Sequence, residues 1–189
     1  NIFYLQKDYD QATYYFKKSV KENPNFGLVY NGLGLIFSIK KDFNKAIENF
    51  QKCLEFDENN PSPLLNIGNC YRELEEFDKA LEYYKKALKN PNKKHEVLNN
   101  IGITYSLKNN DALAIDNFSK AIDIKPDFNE PYYNRAKLLS KNKHTEKAIL
   151  DFKQALKIEP NDIQSYNLLA LIYYQKKEYQ NAIELFLKS

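Results

Sequence analysis

Tryptophan and methionine are absent from this sequence, arginine occurs only as Arg72 and Arg135, and cysteine only as Cys53 and Cys70. Both cysteines lie inside apolar helical patterns and no signal-like leader is visible. Each reads as a small hydrophobe in a reducing compartment, the cytoplasm of a cell, rather than as half of a disulfide. His95 and His144 stand far apart with no Cys or carboxylate at ligand spacing, so they are expected at the surface and no metal is expected. The five glycines are single and each sits among apolar residues, which excludes a glycine-rich phosphate loop. The GxSxG, HExxH and CxxC patterns are missing as well. Acidic pairs such as Glu75 and Glu76 read as a solvated helix face. No catalytic residue and no cofactor is expected, and the chain is read as a non-enzyme. No apolar run approaches the ~18 residues of a membrane span, so no membrane insertion is expected. Charge is mixed rather than absent: 28 basic against 25 acidic residues, interspersed, form no basic stripe for nucleic acid. The first residue is Asn1 and methionine is missing throughout, so we expect a segment of a longer chain.

Repetition is what the sequence has in abundance. Gly34, Gly68 and Gly102 are 34 residues apart, and the same step reaches Ala136 and Ala170. A second series, Ala12, Ala46, Ala80, Ala114, Ala148 and Ala182, keeps that step without exception. Four residues before each member of the first series stands Tyr30, Leu64, Leu98, Tyr132 or Tyr166; three after it stands Phe37, Tyr71, Tyr105, Leu139 or Tyr173. Four after each member of the second comes Phe16, Phe50, Tyr84, Phe118, Phe152 or Phe186. Offsets of three and four put each set on one face of a helix, so every unit reads as two amphipathic helices whose small residue permits close approach. The many Tyr and Phe residues therefore read as core rather than as base-stacking platforms. Pro24, Pro126 and Pro160, with Pro91 one residue early, mark the turns after second helices. Asp10, Asn44 and Asp78 are the expected N-caps of second helices. The aromatic just before them (Tyr9, Phe43, Phe77, Tyr179) becomes Asp111 and Thr145 in two adjacent units, where a softer joint is expected. Arg135 replaces the apolar residue of Leu33, Ile67, Ile101 and Leu169, and its guanidinium is expected to reach solvent past a packed stem.

This pattern resembles the tetratricopeptide repeat, with Tyr or Leu in place of the family's Trp. The resemblance covers the whole chain: residues 27–60, 61–94, 95–128 and 129–162 are complete units, and 1–26 and 163–189 are partial ones. It implies an all-α fold, a right-handed α-solenoid of tandem 34-residue helix-turn-helix repeats forming a single continuous superhelix. It also implies a protein or peptide partner held in a concave groove lined by first helices. The groove positions carried over are Asn66, Asn69, Asn99, Asn100, Ile103, Tyr133, Asn134, Lys137, Asn167, Leu171 and Tyr174. Among them Asn66, Asn100 and Asn134 resemble the asparagine ladder of the O-GlcNAc transferase superhelix, which grips peptide backbone; the alternative is that each Asn bonds locally to a neighbouring helix. The family's carboxylate clamp for chaperone tails needs Lys three or six before the small residue. Those slots hold Asn31, Leu65, Asn99, Tyr133 and Asn167, and Leu28, Ser62, Glu96, Glu130 and Gln164, so no chaperone-type C-terminal clamp is expected. Three roles stay open: a groove that binds an extended peptide or partner helix, a scaffold subunit of a large assembly using the convex face, or the recruiting arm of an enzyme whose catalytic domain lies elsewhere.

Overall fold

The computed structural model describes residues 8–22 and 27–189, and every described element is helical. In chain order these are α1 (Tyr9–Glu22), α2 (Gly27–Ile39), α3 (Phe43–Leu54), α4 (Pro61–Glu73), α5 (Phe77–Ala87), a short 3-10 turn (Pro91–Lys93), α6 (Lys94–Leu107), α7 (Asp111–Ile124), α8 (Asn129–Lys141), α9 (Thr145–Ile158), α10 (Ile163–Gln175) and α11 (Tyr179–Phe186). The chain divides into two compact units, Asn1–Val97 and Leu98–Ser189. In each, consecutive helices pack as helix-turn-helix repeats: α2 on α3 and α4 on α5 in the first, α8 on α9 and α10 on α11 in the second. The turn expected at Pro24 lies outside the described residues. Pro126 and Pro160 do sit in turns, and Pro91 opens the 3-10 turn.

Among the described residues, five joints between the helices of a repeat share one conformation. Lys41, Glu75, Asn109, Lys143 and Lys177 all adopt left-handed backbone, with φ between 57° and 64°. The next residue donates its N–H back to the aromatic or Leu five positions earlier: Asp42 to Phe37 at 2.9 Å, Glu76 to Tyr71 at 2.9 Å, Asn110 to Tyr105 at 2.8 Å, His144 to Leu139 at 2.8 Å and Glu178 to Tyr173 at 2.9 Å. This closes the first helix. The same residue stands at the N-cap of the second helix, and in two repeats its side chain caps it: Asp42 Oδ1 accepts from the Lys45 N–H at 3.3 Å and Asn110 Oδ1 from the Leu113 N–H at 3.2 Å, whereas Glu76, His144 and Glu178 make no such bond. The expected N-caps are thus corrected. Asn44 and Asp78 lie inside the first turn of α3 and α5, Asp10 in that of α1, and the aromatics Phe43, Phe77 and Tyr179 are first helical residues. The left-handed residue completes the turn so tightly that the second helix begins two positions sooner than the capping chemistry of Asn and Asp suggested.

Four of those five left-handed residues are Lys or Glu, whose Cβ crowds the carbonyl there. Replacing Lys41, Glu75, Lys143 and Lys177 by Gly is expected to stabilise the chain by about 0.5–1 kcal/mol each, and to raise the melting temperature of the quadruple variant by roughly 5–10 °C in thermal circular dichroism. An unchanged or lower melting temperature would show that the backbone there carries no strain.

Between the helices of a repeat, the ring from the second lies over the small residue of the first. A Cβ placed on Gly34 would come within 2.5 Å of Phe50 Cε1, and one on Gly102 within 2.5 Å of Phe118 Cε1. Every described alanine of the second series is buried, from Ala12 to Ala182. Cys53 shares its repeat slot with the buried Ala87, Ala121 and Ala155, and burial pushes its thiol pKa up. Burial pushes the Cys70 thiol to about 11. Both thiols are packing groups, protonated and unreactive at neutral pH.

Asp111, where an aromatic stands in other repeats, accepts from Lys141 Nζ at 3.2 Å and Asn142 Nδ2 at 3.0 Å. One repeat later Lys176 meets Glu146 at 2.9 Å, and in the first unit Lys40 meets Asp10 at the same repeat positions as that pair. These links are exposed and contribute little stability. His95, expected at the surface, is largely covered, its side chain 15% exposed beside Glu96; His144 is exposed as expected.

Candidate peptide-binding face

The first helices of the second unit, α8 and α10 with the later part of α6, carry most of the groove residues named from sequence. Two hollows repeat on this face. One, of about 130 Å³, is walled by Ile103, Ser106 and Leu107 from α6 and by Asn134 and Lys137 from α8. The other, of about 90 Å³, lies one repeat on and is walled by Lys137 and Ser140 from α8 and by Leu168 and Leu171 from α10. Phe118 floors the first and Phe152 the second. Lys137 stands on the shared wall with its ammonium 5.8 Å from the centre of the Tyr133 ring. Tyr133 in turn meets Phe152 edge-on at 6.1 Å, and burial raises its phenol pKa.

The other named residues divide by exposure. Asn167, Leu171 and Tyr174 are exposed, and Asn66, Asn69, Asn100, Ile103, Tyr133 and Asn134 are half-buried. Asn99 is buried at 6% exposure and accepts from Asn134 Nδ2 at 3.1 Å. Asn99 is therefore corrected from a groove-lining residue to the inner partner of Asn134. Asn69 accepts from the Tyr84 hydroxyl at 2.7 Å, because a Tyr in place of the usual Phe brings a buried hydroxyl that needs a partner. It also borders a separate hollow of about 290 Å³ in the first unit, with Arg72 and Glu73. Tyr174 packs against Tyr179 at 5.6 Å instead of joining either hollow.

The expectation for Arg135 is overturned. Its guanidinium does not stand free in water but is tied back to α9, keeping only partial access to solvent. It is held bidentate by Asp151, Nε to Oδ2 at 2.7 Å and Nη2 to Oδ1 at 2.8 Å, and Nη1 donates to Ser119 Oγ at 2.9 Å. The Arg135 and Asp151 side chains are 22% and 10% exposed, and the carboxylate raises the guanidinium pKa further. The signal was present: Asp151 lies sixteen residues after Arg135, the offset that also joins Gly34 to Phe50 and Gly102 to Phe118. Among the described residues no cluster of His, Cys, Asp and Glu is placed to hold a metal ion, and no helix is long and apolar enough to cross a membrane.

Sequence models of the tetratricopeptide repeat match residues 28–60, 61–90, 95–128, 130–162 and 152–184. The chain belongs to the tetratricopeptide repeat (TPR) family. TPR folds are typically interaction modules rather than catalysts. No curated protein matches the sequence. Among solved structures, MamA is 26% identical with a TM-score of 0.68, over 86% of this chain and 88% of that one. PilF of Pseudomonas aeruginosa is 18% identical with a TM-score of 0.85, over 98% of this chain and 85% of that one. YrrB, described as a TPR protein with an unusual peptide-binding site, is 19% identical with a TM-score of 0.63, over 92% and 89%. These likenesses, the last two below 25% identity, place the chain in the all-α TPR repeat fold.

Proposed function

We propose that this TPR chain is a protein-interaction module whose first-helix face in the second unit holds a short extended peptide. The observation that carries the reading is the pair of hollows one repeat apart, aromatic at the floor, walled by apolar and polar side chains together and sharing Lys137. Two apolar side chains of a peptide would fill them, and an acidic group between them would face Lys137. Asn134 spends one amide hydrogen on Asn99. Its second hydrogen and its carbonyl oxygen would bond peptide backbone, with Asn100 beside it. The described peptide site of YrrB supports a groove of this kind through the shared fold alone.

The test selects binders from a displayed random-peptide library against the whole chain and measures each by calorimetry. Asn100→Ala with Asn134→Ala is expected to weaken all binders alike, by roughly thirtyfold, at about 1 kcal/mol for each backbone-bonding group. Leu171→Ala is expected to discriminate among binders, since it touches side chains only. Affinity that survives while the melting temperature collapses would make the asparagines structural and the reading wrong.

A further inference from the structure

The turns of the second unit gather charge by sign. Its helices pack as antiparallel neighbours, so the joints within repeats lie along one edge and the connections between repeats along the opposite one. Within a turn of the joints stand Lys108, Lys141, Lys143, Lys147, Lys176 and Lys177, against Asp111, Glu146 and Glu178. Within a turn of the connections from α7 to α8 and from α9 to α10 stand Asp123, Asp127, Glu130, Glu159 and Asp162, against Lys125 and Lys157. We infer that these two edges bind each other between copies of the chain, the basic edge of one copy against the acidic edge of the next.

Helix dipoles do not account for the separation. Each edge holds the C-terminal ends of one set of helices and the N-terminal ends of the other, so the partial charges there are of both signs and favour neither lysine nor carboxylate. Nor does the separation come with the repeat. At the joints of the first unit, Lys40, Lys41, Lys45, Arg72 and Lys79 balance Asp42, Glu73, Glu75, Glu76 and Asp78. The connection after α5 is basic, with Lys85, Lys86, Lys89, Lys93 and Lys94, where those of the second unit are acidic.

Pairing within the chain leaves both edges charged. Lys141 meets Asp111, and Lys176 meets Glu146 and Glu178. Lys143, Lys147 and Lys177 are exposed and form no ion pair among the described residues. On the other edge Asp123, Asp127 and Glu159 are exposed and likewise form none; Glu159 accepts from Asn129 Nδ2 at 2.7 Å and keeps its charge. Three open cations on one edge thus stand against three open carboxylates on the other.

Apolar side chains lie among these charges. Leu107, Tyr174 and Tyr179 are exposed on the basic edge, Ile124 and Ile163 on the acidic one. Contact between unlike edges would cover them, while the charges set register and reject like edges. A two-fold pairing would place like against like. The contact is therefore heterologous, and a copy that has used one edge still offers the other, so assembly continues past the dimer.

The experiment is sedimentation of the whole chain in about 10 mM salt, where the screening length is ~30 Å, and in about 1 M salt, where it is ~3 Å. In low salt the average mass is expected to climb with concentration past that of a dimer, and in high salt to return to the monomer. Lys143→Asn with Lys147→Gln and Lys177→Asn neutralises the basic edge; Asn109 already holds the position of Lys143 and Lys177 in another repeat. Asp123→Asn with Asp127→Asn and Glu159→Gln neutralises the acidic edge. Each variant alone is expected to keep its circular dichroism and to associate about tenfold more weakly. An equimolar mixture of the two is expected to form a one-to-one dimer and stop there, since only the intact basic edge of one and the intact acidic edge of the other can meet. A parent chain that stays monomeric in low salt, association that survives high salt or either variant, assembly that ends at the dimer, or a mixture that stays monomeric would each overturn the inference. Peptide binding is read separately at Asn134 and Leu171, so the failure of either reading leaves the other standing.

Discussion

Phe118→Ala is expected to destabilise the chain by about 3–5 kcal/mol, measured by urea unfolding followed in the far ultraviolet. The side chain is 1% exposed, and its ring lies over Gly102, which has no side chain to relax into the hole. Leu138 packs against it in the same cluster, and the ring floors the Ile103 hollow. The complementary change tests the cause. Gly102→Ala alone is expected to overpack by about 1–3 kcal/mol, because its Cβ meets Phe118 Cε1. In the Phe118→Ala background the same methyl enters vacated space, so the two losses should not add. Additive losses would mean that ring and glycine do not depend on each other.

Asp151→Ala is expected to lower stability by roughly 3 kcal/mol, close to the low end for breaking a buried pair because Arg135 keeps some access to water. What remains is a guanidinium among Tyr132, Leu139 and helix backbone with only Ser119 to accept from it. Arg135→Ile together with Asp151→Leu should return stability to within about 1 kcal/mol of the parent or above it, since Ile67 and Leu185 occupy the same repeat positions elsewhere. A double variant as unstable as Asp151→Ala would show that the ion pair itself supplies the packing there. Both variants are read by the same unfolding measurement.

The two predictions differ in how visible their residues are in the sequence. The Gly102–Phe118 pair is written into the 34-residue period, because a repeat that stacks on copies of itself must place the same size of side chain at the same contact every time. Helix content, repeat frame and the buried alanine series follow from that constraint and could be read without coordinates. Arg135 breaks the period, and a break states only that the usual contact is gone. What replaced it depended on which side chain of another helix lay within reach, and Asp151 does.

The face residues show the same division. Periodicity put Asn66, Asn100, Asn134, Lys137 and Leu171 on first helices, since their offsets from the small residue are fixed by helix geometry. It could not tell that Asn99 turns inward to Asn134, or that Tyr84 engages Asn69, because a polar side chain has several partners within reach and chooses among them by distance and burial. Helix starts were misjudged for a related reason: Asp and Asn are good caps wherever they stand, and only the left-handed residue at Lys41, Glu75, Asn109, Lys143 and Lys177 decides where the second helix begins. By itself the sequence determined the repeat, its helices and its apolar contacts, which recur and therefore average out local accident. Tertiary structure alone decided the polar pairings and which grooves stay open, because each depends on a single arrangement of neighbouring side chains that occurs once in the chain.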